Sequence, residues 1–143
     1  MKLRRRISRN QDGVATIEMA FALPILIVLN WMFVQLAQIY RAMAGIQQAL
    51  GEGARFATLC LNPTATGCST PTTTQVKTRI SDSVYGIGPG TFTVADPGTG
   101  NDGGTGFYYD LSVTYSQPTT LMLFPGPTIN VTRSKRVWIA RNS

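Results

Sequence analysis

Histidine is absent from all 143 residues, and only seven residues are acidic. The side chain that most often serves as a general base near neutral pH and as a metal ligand is therefore missing. The two cysteines, Cys60 and Cys68, leave no second pair for a thiolate zinc site. Residues 41–143 have no adjacent carboxylate pair, and no nucleophile stands beside a recognisable base, so the usual catalytic constellations cannot be assembled. The chain reads as a non-enzyme that needs neither metal nor cofactor. Charge is scarce overall, at 14% of residues, and is missing entirely between Glu18 and Arg41.

What charge there is has a location. Residues 1 to 13 hold five basic side chains and Asp12, a net +4, which leaves +2 of the total +6 for everything after Gly13. Lysine and arginine beside an apolar segment stay cytoplasmic, so this excess is a topology signal and not a nucleic-acid footprint. The apolar segment itself, Val14 to Tyr40, contains one charge, Glu18. As a helix it extends about 40 Å, against a hydrocarbon core of about 30 Å. A carboxylate there costs roughly 2 to 3.5 kcal/mol at mid-membrane and less near the interface. Two readings of Glu18 stay open: a helix-start charge that suits the macrodipole, or a group kept for a partner. Pro24 reads either as a plain kink in an anchor or as a place where packed helices bend.

The seam Gly13-Val14-Ala15-Thr16-Ile17-Glu18, followed by an apolar helix, resembles the processing site of type IV pilin-like proteins. Within that superfamily the chain resembles the TadE-like minor pseudopilins of the tight-adherence (Flp) pilus system. The likeness extends to Glu52-Gly53-Ala54-Arg55-Phe56-Ala57 and to Leu123-Phe124-Pro125-Gly126 before an Arg-rich end. The resemblance implies that a prepilin peptidase cuts between Gly13 and Val14, leaving Glu18 fifth in the mature chain as the assembly residue. It implies other pilins or pseudopilins, an inner-membrane assembly platform and membrane lipid as partners, and no nucleic acid. The expected division is a cytoplasmic leader over 1–13, a transmembrane helix over 14–40, and a periplasmic stem and head over 41–143. Val14 stands where type IV pilins commonly have phenylalanine, and Met19 where this pilus system usually has an aromatic.

The rival reading is a secretory signal, which makes the chain a signal-anchored or released periplasmic binding module with no assembly role. Ala42-Met43-Ala44 is an A-x-A site, and cleavage after it would release a soluble binding module beginning at Gly45. Against it, the apolar stretch exceeds the usual 7 to 15 residue core of a signal, and such a signal has no use for Glu18.

Past the membrane segment, Leu36, Ile39, Tyr40, Met43, Ala44, Gln47 and Leu50 recur at helical steps and predict an amphipathic stem, with Gln38, Arg41, Gln48 and Glu52 toward water. Gly45, Gly51 and Gly53 weaken it, and fraying near Gly51 is expected. Glu52 and Arg55 are spaced to pair on one face. Cys60 and Cys68 close a short loop; in an oxidising periplasm they read as a disulfide, with two free thiols as the alternative. Val76, Ile80 and Val84 predict a short helix from Thr73 to Tyr85, stopped by Gly86. Three strands are expected: Thr91–Val94, Phe107–Tyr115 and Thr128–Trp138. The fold class is α+β, a long helix and a short helix under a small antiparallel sheet. Residues 96–106 read as a flexible hairpin loop, with calcium binding as the weaker reading; a formal GxGxxG at Gly98, Gly100 and Gly103 is set aside because no helix pattern follows it.

Overall fold

A computed structural model describes residues 12–60, 66–84, 88–103, 106–122 and 124–139. Helix α1 runs unbroken from Asp12 to Ala57, 46 residues, with Pro24 inside it. The expected transmembrane segment and stem are thus one rod of about 69 Å. Helix α2 spans Thr73–Val84. Its start is a capping box: Gln75 N–H donates to Thr72 Oγ1 at 3.3 Å, and Thr72 N–H donates to Gln75 Oε1 at 2.9 Å. Val76, Ile80 and Val84 are its buried stripe, as the spacing predicts. Tyr85 and Gly86, expected as its end, lie outside the described residues.

The sheet has four strands, not three: β1 Thr91–Val94, β2 Gly98–Asn101, β3 Phe107–Leu121 and β4 Phe124–Ile139. Strand β3 is central and every pairing is antiparallel, with β4 on one side and both β1 and β2 along the other. Val94 pairs with Val113 and Gly98 with Asp110, so the edge carries one residue more than β3 between them. That is a bulge at 95–97, and β1 and β2 are one edge strand bent there. The extra strand lies within the segment expected to be a loop. Glycine has little strand propensity, so the pattern does not announce it. What holds it is its antiparallel pairing with Phe107–Asp110, and glycine is needed within it because a Cβ at Gly100 would lie 2.5 Å from the ring of Tyr108, the residue it pairs with.

Strands β3 and β4 exceed their expected lengths and form a long hairpin. Its ladder shifts register between Pro118 and Thr120 and closes at Leu121↔Phe124, with Met122 at a φ of 56° in the turn.

The core lies where α1, α2 and the inner face of β3 meet. It contains Ala42, Ile46, Ala49, Leu50, Ala54 and Ala57 of α1, the α2 stripe, and Leu111, Val113 and Tyr115 of β3. Each large member is worth about 1.5 to 3 kcal/mol relative to exposure. The stem stripe therefore differs in part from the expected one: Ile39 and Leu50 are buried, but Leu36, Tyr40, Ala44 and Gln47 are exposed, while Ala42, Gly45, Ala49 and Gly53 face the head. The reason is steric. Gly53 lets α2 approach so closely that a Cβ there would sit 2.4 Å from Ile80 Cγ1. The expected fraying near Gly51 does not occur, since packing supports the helix to Ala57.

Candidate functional site

The first half of α1 packs against almost nothing. Val14 is 67% exposed, Phe21 71% and Phe33 68%. The most apolar 18-residue window of this helix has a mean hydropathy of 2.0 and is wholly unburied. A core helix of a water-soluble domain would hide such a surface; this one is long and apolar enough to cross a bilayer and presents its whole circumference.

The predicted seam lies at the start of that surface. Gly13 and Val14 are both exposed in the first turn of α1, and a Cβ added at Gly13 meets nothing within 4 Å. Glu18 is also exposed, one helical turn past Val14 on the same face. The next basic residue along α1 is Arg41, 23 positions on, or about 35 Å along the axis. A cation for Glu18 in that direction must therefore come from another molecule.

The far end of the apolar stretch is joined to the head by polar groups that sequence reasoning missed. Trp31 Nε1 donates to the Thr120 carbonyl at 2.9 Å. Gln35 takes both backbone groups of Thr120: its amide N–H donates to the carbonyl, and its oxygen accepts from Thr120 N–H at 3.2 Å. Gln38 Oε1 accepts from Gln117 Nε2 at 3.2 Å; Gln117, 4% exposed, in turn accepts from the Tyr115 hydroxyl at 2.6 Å. Tyr115 Oη also accepts from Gly90 N–H at 3.1 Å, closing a satisfied network. The signal in the sequence is Trp31, Gln35 and Gln38 on one helical face within an apolar run.

Cys60 and Cys68 are bonded, with Cα atoms 5.5 Å apart, inside the range such a bridge allows. Glu52 pairs at 3.8 Å with Arg79 of α2, across the helix interface, where sequence spacing suggested Arg55. The Glu52–Ala57 motif is thereby explained as packing: Gly53 admits Ile80, and Ala54 and Ala57 are buried. In the 96–106 segment Asp96 pairs with Lys77 at 2.7 Å, and among the described residues no group of three acidic or thiol side chains gathers around a cation position. At the other end of the hairpin Arg136 grips Asp110 through bonds of 2.8 and 2.9 Å while lying 4.0 Å over the Tyr108 ring. That guanidinium holds the Asp110 carboxyl below its ordinary range. Burial raises the Tyr109 hydroxyl, which donates to the Pro71 carbonyl at 3.1 Å.

Residues 13–55 match the sequence model of the family described as TadE-like protein. The similarity lies in the long helix. The match begins at Gly13 and ends at Arg55, taking in Val14, Glu18 and the first part of the Glu52–Ala57 motif but not Leu123-Phe124-Pro125-Gly126. It covers about three-tenths of the chain. No curated protein and no solved structure matches the chain. The TadE-like segment contains both the exposed apolar surface and the α1 residues that hold the head.

Proposed function

We propose that this chain is a minor pseudopilin, a non-catalytic subunit that takes part in initiating, tipping or assembling a tight-adherence pilus. The observation that carries the proposal is the TadE-like helix itself, apolar all round for more than the width of a bilayer and left uncovered by its own head. In this reading α1 waits in the bacterial inner membrane with residues 1–13 cytoplasmic and the head periplasmic. A prepilin peptidase removes the leader after Gly13. The helix then passes from lipid to the helices of other pilins or pseudopilins on the assembly platform. Glu18, a carboxylate at low dielectric with no ion pair among the described residues, meets a cation of a neighbouring subunit, the freed amine of Val14, and sets the axial register between helices.

The signal-peptide alternative finds less support. Cleavage after Ala44 would remove Ile39 and Ala42 from the core and break the bonds of Trp31, Gln35 and Gln38 to the hairpin. A released head would be left with a gap along β3.

The N-terminal residue of the membrane-bound mature protein tests the proposal: Val14 for processing at the seam, Gly45 for release, Met1 for an uncut anchor. Gly13→Leu should block maturation without disturbing the fold, because a Cβ there meets nothing within 4 Å among the described residues. Glu18→Gln should leave insertion and cleavage intact while reducing pili per cell. Normal piliation in cells whose only copy carries Glu18→Ala would refute the role assigned to the carboxylate.

A further inference from the structure

The β3–β4 hairpin ends in a cluster of apolar side chains that the fold leaves uncovered. Leu121 is 44% exposed, Met122 55% and Phe124 69%. From Leu111 to Thr132 the chain has no charged residue, whereas Asp110, Arg133, Lys135 and Arg136 gather at the opposite end of the hairpin. The hairpin is thus polarised along its length, and its direction is known. Leu111 packs near Gly53, Gln117 bonds Gln38, and Thr120 bonds Gln35 and Trp31, so β3 descends α1 toward its N-terminus.

The depth of the tip follows from the helix. A hydrocarbon core of about 30 Å takes about 20 helical residues. Counted from Val14 it ends at Phe33; counted from Glu18, near Ala37. Thr120 is fastened to residues 31 and 35, and two further residues carry the tip about 7 Å deeper. Leu29, Met32 and Phe33 accordingly line one apolar groove with Leu121 and Pro127.

A strand end at that depth must hide its backbone polar groups, and the strands leading into this turn do so. Pro118, Pro125 and Pro127 have no N–H to satisfy. Where the register shift opens the ladder, Gln35 and Trp31 bond Thr120, and Thr119 Oγ1 donates to the Pro127 carbonyl at 2.7 Å.

Resting on the transmembrane reading of α1, we infer that the tip residues Leu121, Met122 and Phe124 are a second membrane contact, inserted into the periplasmic leaflet, with acyl chains filling the groove the hairpin forms with α1. The head is then held low against the bilayer by two elements, and leaving the membrane for a fibre requires withdrawing the hairpin as well as the helix. Trp31, at the junction, occupies the interfacial level that its half-polar ring favours.

The test uses the full chain in phosphatidylethanolamine–phosphatidylglycerol vesicles containing lipids with a nitroxide on the acyl chain. Met122→Cys, and independently Phe124→Cys, is labelled with an environment-sensitive fluorophore; Ile25→Cys on α1 and Ser81→Cys on α2 are the references. Quenching at position 122 or 124 close to that at 25, and several-fold above that at 81, is the expected result. Strong quenching at 25 with 122 and 124 at the level of 81 overturns the inference while leaving the anchor intact. Absence of quenching at 25 as well overturns the transmembrane reading, and the inference with it. A tip label shielded from aqueous iodide yet unquenched by the lipid nitroxide, with Met122→Cys cross-linking between copies, assigns the tip to a neighbouring subunit and also refutes insertion.

Discussion

Gly53→Ala sets two effects of opposite sign against each other. On an isolated helix the substitution is favourable by about 1 kcal/mol, because glycine loses more backbone freedom on folding. In this protein the new Cβ would lie 2.4 Å from Ile80 Cγ1 and 2.8 Å from Cδ1, where carbon atoms rest at about 3.5 to 4.0 Å. Ile80 is fully buried, and its branched Cβ permits little rotation. Relief must come from moving α2, at the overpacking cost of about 1 to 3 kcal/mol. Packing wins, by up to about 2 kcal/mol, and at roughly 4 to 8 °C per kcal/mol for a domain of this size the melting midpoint falls by several degrees. Ile80→Ala by itself costs about 2 to 5 kcal/mol, but it removes both clashing atoms. In that background Gly53→Ala should become stabilising, by the propensity difference. Thermal unfolding of the full chain in detergent, followed by near-UV circular dichroism for the two single variants and the double, reads the sign change. A rise in midpoint for Gly53→Ala alone, or the same sign in both backgrounds, would refute close α1–α2 packing as the reason for glycine.

Protein purified from membranes without reductant should expose no alkylatable thiol, and Cys60→Ser should increase protease sensitivity of the head, in line with a loss of roughly 2 to 3 kcal/mol for so short a loop; labelling of two thiols in fresh lysate would contradict the bridge. The Asp110 carboxyl is held below its ordinary range by Arg136, so the folded state takes up its proton less readily than the unfolded one. Its stabilising contribution is complete above the ordinary carboxylate value of about 4 and disappears as pH falls through the lower folded value. The difference in melting midpoint between wild type and Asp110→Asn should therefore shrink on acidification below about pH 4; a difference that grows there would reverse the assignment. Replacing Gln117 by leucine should leave the Tyr115 hydroxyl and Gln38 short of a partner and cost about 1 to 3 kcal/mol, measured by urea titration; an unchanged midpoint would show the network to be dispensable.

Much of the architecture is legible because it depends on periodicity. Val76, Ile80 and Val84 at steps of four specify α2 whatever they face, and the alternation in β3 places Leu111, Val113 and Tyr115 on one side. The stem stripe is legible only in part. Alanine and glycine carry too little hydropathy to mark a buried face, so Ala42, Gly45, Ala49 and Gly53 lose to Tyr40 and Met43 in a pattern although they win in the packing. Strand β2 is invisible for a related reason: Gly98-Thr99-Gly100-Asn101 has turn composition, and its pairing with Phe107–Asp110 of β3, with the Tyr108 ring close over Gly100, makes it a strand.

The seam and its surroundings belong to the sequence alone. Gly13, Val14, Glu18 and the uncharged run to Tyr40 are local features, and their meaning depends on transfer to lipid and on charge, neither of which needs a fold. The ends of the chain's long hairpin belong to the tertiary structure. Leu121, Met122 and Phe124 become an exposed apolar tip at a particular level of α1 only because β3 descends that helix, fastened by Gln38, Gln35 and Trp31. Residues 31 and 120 are 89 positions apart. Bonds across such a separation form where two surfaces meet, and no short-range pattern in the chain encodes that meeting.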